Sequence, residues 1–155
     1  WIRAPARTIA SLVQMRDTID LGTPVLEQLA ARWLIENGET FLPAYRCMLA
    51  TRRDDCLRLM QLFFPEWRTQ LPQGGLSFWV ELPEALATRF ATGAESVGIH
   101  LGAGTRFGLA GAFERYLRMP FTQPEAILQE AFMALQPIWS SLINQPQIIR
   151  QRKYI

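Results

Sequence analysis

The apolar pattern changes its period partway along the chain, and that change constrains the fold more than any other feature. Up to Phe64, apolar residues recur every three or four positions, as on one face of a helix. After Pro72-Gln73-Gly74-Gly75 the period falls to two: Leu76, Phe78, Val80 and Leu82 alternate with Ser77, Trp79 and Glu81. Such a strand buries one face and leaves the other wet. Helical spacing returns later, and the order reads helix, helix, helix, strand, helix, strand, strand, helix. The expected class is α+β: a small, mostly antiparallel sheet of about three strands with helices packed on it.

The first helix should run from Ala6 to about Asp17, with Ile9, Leu12 and Val13 as its stripe. Gly22 breaks it. Thr23 as N-cap and Pro24 at the first helical position start the second helix, whose stripe is Leu26, Leu29, Ala30, Trp33 and Leu34. Asn37-Gly38 stops it. A long helix follows from about Thr40 to Phe64, with Tyr45, Met48, Leu49, Cys56, Leu59, Met60 and Phe63 along one side and Pro65 as its end. Arg52-Arg53-Asp54-Asp55 reads as a solvated patch on it. Beyond the strand, a helix is expected over about Glu84 to Ala94, with Leu86, Phe90 and Ala94 inward. A short strand is expected over Gly98 to Leu101, a loop over Gly102 to Gly108 and a strand over Tyr116 to Phe121. The last helix spans Thr122 to about Asn144, with the stripe Leu128, Ala131, Leu135, Ile138, Trp139 and Leu142.

The chain has 155 residues, 49% hydrophobic and 19% charged, which suits a globular domain. A net charge of +2 gives no case for nucleic acid or a membrane surface as a partner. Lysine is almost absent: of 16 basic residues only Lys153 is not arginine. On one helix, Cys47 and Cys56 would stand roughly 13 Å apart at ~1.5 Å rise per residue, too far for a disulfide. Free thiols suit a reducing, cytoplasmic setting. No apolar run approaches the ~18 residues of a membrane span. Trp1-Ile2-Arg3-Ala4-Pro5 reads like the end of a strand entering a helix, so a longer parent protein is expected.

Arg118 is the candidate functional residue. In Tyr116-Leu117-Arg118-Met119-Pro120-Phe121, residues Leu117, Met119 and Phe121 share one face; Tyr116, Arg118 and Pro120 share the other. A mid-strand guanidinium between large apolar residues needs an acceptor or open water. It can grip a carboxylate by two parallel hydrogen bonds, or it can form a structural ion pair. The segment Gly102 to Gly108 lacks the Lys-Ser/Thr of a phosphate-binding loop and reads as a tight turn. His100 stands alone as a metal ligand, so no metal site is expected, and a strand histidine with a local hydrogen bond is the simpler reading. Glu81 and Glu84 read as exposed charges at a strand end. Arg150, Arg152 and Lys153 form a basic tail. Trp33, Trp67, Trp79 and Trp139 are expected in core or interface. No set of nucleophile, base and orienter can be assembled, so no catalytic residue is expected here.

The order of these motifs resembles the small domain of fold-type-I, class I/II aminotransferases, which depend on pyridoxal phosphate. Trp1-Ile2-Arg3-Ala4-Pro5 resembles the segment following the catalytic lysine. Gly22-Thr23-Pro24 with Glu27-Gln28-Leu29-Ala30 is similar to the next helix. Pro72-Gln73-Gly74-Gly75-Leu76-Ser77-Phe78-Trp79-Val80-Glu81-Leu82-Pro83 is similar to the small-domain strand. Gly98 to Phe107 resembles the later glycine turn, with Ala103 where that turn usually has proline. Tyr116 to Phe121 resembles the strand carrying the carboxylate-binding arginine. The wording is nearest the MocR branch of GntR transcription regulators, in which a winged helix-turn-helix precedes an aminotransferase-like domain.

The resemblance implies an aminotransferase-like domain over residues 1–145, an irregular tail over 146–155, and Arg118 as the ligand's α-carboxylate partner. It implies pyridoxal phosphate in the full-length protein, held by residues upstream of Trp1. The implied partners are an amino-acid-like small molecule, DNA through an upstream domain, and a second copy in a homodimer. It equally admits a free-standing aminotransferase. A third reading makes this domain alone an association module.

Overall fold

The computed structural model describes residues 2–20 and 22–144. The basic residues Arg150, Arg152 and Lys153, and Trp1, lie outside them. The chain divides into two compact units, Trp1–Ala44 and Tyr45–Ile155.

The first unit contains helices α1 (Ala6–Arg16) and α2 (Val25–Glu36) and a turn of 3-10 helix at Gly38–Thr40. Both helices fall where the periodicity puts them, but neither buries a side chain. Leu26, Leu29 and Trp33, expected to face inward, are all more than half exposed. Thr23 does not cap α2. Its hydroxyl accepts a hydrogen bond from Arg16 Nη2 at 2.9 Å, and the helix begins after Pro24. The same guanidinium pairs with Asp20 at 2.9 Å, and Asp20 accepts the Gly22 amide at 2.8 Å. These contacts close the turn around Gly22, whose φ of +118° suits glycine.

The second unit is built on the long helix α3 (Leu42–Phe63), which begins before it in sequence. Strands β1 (Arg68–Thr69) and β2 (Ser77–Glu81), helix α4 (Ala87–Glu95), strands β3 (Gly102–Ala103) and β4 (Tyr116–Pro120), and helix α5 (Glu125–Ile143) follow. The sheet has four antiparallel strands in the order β1-β2-β4-β3. The α+β class and the antiparallel sheet are therefore as expected, with β1 as an additional strand. The second expected strand, over Gly98 to Leu101, moves forward in the sequence. Residues 98–101 are not extended into the sheet; Gly102–Ala103 pair with β4 instead. Gly104 to Phe107 then form a 3-10 turn, not a phosphate cradle.

Alternation decides which face of the sheet is buried. Phe78 and Val80 of β2, Leu117 and Met119 of β4 and Ala103 of β3 point into the core. They meet Cys56, Leu59 and Met60 of α3, Phe90 of α4, and Leu128, Phe132, Leu135 and Trp139 of α5. Leu76, expected with the inward set, is 46% exposed because it lies before the paired strand begins. Aromatic rings fill the middle of the core. Phe64 and Trp67 stack at 4.0 Å, and Trp67 meets Trp139 edge-to-face at 5.5 Å. Pro137 sits inside α5 on its exposed side, so the carbonyl left without an amide partner can reach water.

The charged patch on α3 differs from expectation. Arg52 and Arg53 are half-buried, and they tie loops to the helix: Arg52 donates to the Thr122 carbonyl and Arg53 to the Pro72 carbonyl. Each carbonyl lies in a loop beside a sheet strand, so the pair fixes where β2 enters and β4 leaves. The N-terminus of α4 is closed from outside the helix, the Glu114 carboxylate accepting the Thr88 amide at 2.9 Å and the Thr88 hydroxyl at 2.7 Å.

Candidate functional site

The uncovered face of the sheet carries the functional candidate. Period-two alternation sends Ser77, Trp79 and Glu81 of β2 and Tyr116, Arg118 and Pro120 of β4 to the side opposite the core. The register sets Trp79 opposite Arg118 on one flank and Gly102 opposite it on the other. Arg118 thus stands in the middle of a three-strand row, exposed, with its backbone paired on both sides.

Its surroundings are unusual for a surface arginine. Arg118 Nε donates to Ser77 Oγ at 3.2 Å. Its guanidinium carbon lies 6.0 Å from the centre of the Phe107 ring. Among the described residues no carboxylate pairs with it. The structural ion pair that the sequence left open is therefore absent there. Arg118 lines an open cleft of about 410 Å³. Its walls include His100, Arg106, Phe107 and Pro120, and no acidic residue lines it. His100 is exposed and lies in no strand, so it is a cleft wall and not the hydrogen-bonded strand residue expected.

An aromatic group adjoins the arginine. Trp79 stacks on Tyr116 at 5.5 Å with the rings 8° apart, and it meets Phe107 at 5.7 Å and Phe113 at 5.8 Å edge-to-face. Phe113 adopts φ +64°, rare for an aromatic residue, and that bend brings its ring over Trp79. Gly104 makes the close approach possible. A Cβ there would stand 2.2 Å from the Phe113 carbonyl oxygen.

Other sequence candidates lie elsewhere. Glu81 is half-buried at the end of β2, where the register places Arg68 opposite it. Trp67 and Trp139 are core residues and Trp33 is exposed. Cys47 is exposed, Cys56 is fully buried, and both are free thiols as expected. Among the described residues, no group of histidine, cysteine or carboxylate side chains could hold a metal, and no helix is long and apolar enough to cross a membrane. Ser77, Gly102 and Phe107 had no assigned role in the sequence. Ser77 falls on the right face by alternation, but only the β2–β4 register brings its hydroxyl to Arg118.

Pyridoxal phosphate is bonded through its aldehyde to a lysine amine. The described residues contain no lysine, since Lys153 lies outside them. The glycine turn at Gly104 folds onto Phe113 and Tyr116 and leaves no cradle. The described residues therefore do not fit the cofactor itself.

No family model matches the chain. It is 27% identical over 140 residues to aromatic-amino-acid aminotransferase 1 of Thermococcus litoralis, covering 87% of this chain and 34% of the relative. It is 28% identical over 128 residues to LL-diaminopimelate aminotransferase of Oleidesulfovibrio alaskensis, covering 81% and 32%. Its fold matches LysN, the α-aminoadipate aminotransferase of Thermus thermophilus, with a TM-score of 0.72 at 24% identity, covering 90% of this chain and 37% of that one. It also matches the kynurenine aminotransferase of Pyrococcus horikoshii, with a TM-score of 0.71 at 24% identity, covering 90% and 36%. The chain thus spans about a third of the length of these relatives. The fold is that of an aminotransferase small domain.

These relatives correct the assignment to MocR and GntR regulators, and with it the terms transcription regulation and DNA binding. Each of them is an aminotransferase enzyme. The physical reason for the error is plain. The motifs behind that resemblance, Pro72 to Pro83 among them, form elements of the domain itself, Ser77–Glu81 being β2, and carry nothing specific to DNA binding.

Proposed function

We propose that this chain is the small-domain part of a pyridoxal-phosphate-dependent aminotransferase and that Arg118 holds the α-carboxylate of the amino-acid substrate. The observation that carries the reading is an exposed arginine in mid-sheet, without a counter-ion among the described residues, lining a cleft with no acidic wall. An arginine fork matches a carboxylate in shape and charge. The similarity to aminotransferases supplies the class of ligand. Pyridoxal phosphate, when bound, supplies an electron sink for the substrate's amine-bearing carbon. The residues here contribute binding and orientation, and the cofactor's own contacts come from other parts of the enzyme. The two free thiols suit a cytoplasmic protein.

The test is Arg118→Ala in the complete enzyme. Loss of a charge-assisted hydrogen-bond pair should weaken binding of amino-acid and 2-oxo-acid substrates by about 10- to 100-fold. The absorbance of the bound cofactor should stay as it is. Unchanged substrate affinity would remove Arg118 from the site.

A further inference from the structure

We propose that Ser77 is a positioning residue for Arg118, selecting which edge of the guanidinium meets the ligand, with Gly102 providing the room. The inference rests on the reading of Arg118 as the carboxylate contact. A guanidinium has two edges able to take a carboxylate by parallel hydrogen bonds. One is the side edge, made by Nε and one terminal nitrogen; the other is the end edge, made by the two terminal nitrogens. Ser77 Oγ accepts from Nε at 3.2 Å, so the side edge is engaged and the end edge is left for the ligand.

The two neighbouring strands fix this geometry from opposite sides. Ser77 belongs to β2, where the register sets it two positions from Trp79, the direct partner of Arg118. On the other side, a Cβ at Gly102 would stand 3.2 Å from Arg118 Cβ and 3.6 Å from the Phe107 ring. A methyl there would crowd the base of the arginine while only touching the ring beside its guanidinium. A long arginine side chain normally loses rotamer freedom on binding. Here the serine hydroxyl and the Phe107 ring restrict it beforehand, at the cleft that Arg118 lines.

The experiment uses the intact chain with 15N-labelled arginine, comparing wild type, Ser77→Ala and Ser77→Thr, with propionate as probe. Hydrogen exchange at Arg118 Nε–H is read first without ligand, and the propionate affinity is then read from the shift of the same resonance. Threonine keeps the hydroxyl, so Ser77→Thr should behave as wild type in both. Ser77→Ala should exchange Nε–H faster and bind propionate about 3- to 10-fold more weakly, the scale of one exposed hydrogen bond. Its urea midpoint should stay within error of wild type, which separates positioning from folding. If Ser77→Ala matches wild type in exchange and affinity, the positioning role is wrong and Arg118 stands as the carboxylate contact. If propionate leaves the Arg118 resonance of the wild type unmoved, the carboxylate reading fails and the role of Ser77 fails with it.

Discussion

Cys56 offers a quantitative check on the core. It is fully buried in α3, and burial alone pushes its thiol from 9.0 to about 12. Below pH 9 both folded and unfolded chains keep the proton, so stability does not depend on this group. Between pH 9 and about 12 the unfolded chain releases the proton while the folded chain holds it. Fewer bound protons in the unfolded state mean that stability falls as pH rises. The window is three units wide (12 − 9), and at about 1.36 kcal/mol per unit the total loss is on the order of 4 kcal/mol. Half of that, about 2 kcal/mol, should already be lost by roughly pH 10.5. Urea unfolding of the wild type and Cys56→Ala at a series of pH values isolates it, because tyrosine titration cancels in the difference. The alanine variant is less stable at pH 8, and the gap should narrow by about 2 kcal/mol towards pH 10.5. The same burial predicts reactivity: at pH 8 a thiol reagent should modify exposed Cys47 quickly and reach Cys56 only on unfolding. A gap that stays constant with pH, or two thiols reacting at similar rates in native buffer, would refute the dry core around α3.

Two further outcomes follow from packing. Gly104→Ala forces a methyl against the Phe113 carbonyl and should lower stability by about 1–3 kcal/mol in urea unfolding; it should also disturb the near-ultraviolet circular dichroism of the Trp79 group. Phe132→Ala removes a ring 1% exposed that meets both Phe63 and Phe64 edge-to-face, and should cost about 3–5 kcal/mol, read as a lower urea midpoint.

What the sequence made legible was whatever repeats along the chain. The alternation from Ser77 to Glu81 and from Tyr116 to Pro120 shows which residues face the core, and it places Arg118 outside it. The same logic finds α5, though its stripe omitted Phe132, which is more buried than Ala131. What depends on a partner strand was not legible. Arg68–Thr69 and Gly102–Ala103 are two residues each, too short to show a period, and become strands only because β2 and β4 pair with them. Nor does spacing show that Arg52 and Arg53 reach loop carbonyls distant in sequence, since a charged run on a helix looks alike whether solvated or tethered. For the same reason Ser77 was visible as a residue of the outer face but not as the partner of Arg118.

The antiparallel register gives the arginine a second consequence, in folding itself. A slip of one residue in β4 would turn Arg118 inward among Phe78, Val80 and the rings of α5, and turn Leu117 or Met119 out to water. The misplaced charge would lack any acidic partner in a core that, among the described residues, buries no charged side chain, at a penalty of several kcal/mol. Alternative pairings are thus rejected by the same side chain that stands on the open face in the native register. A chain with Arg118 exposed has, by that fact, aligned its central strands correctly, so the accessibility of this guanidinium doubles as a readout of register.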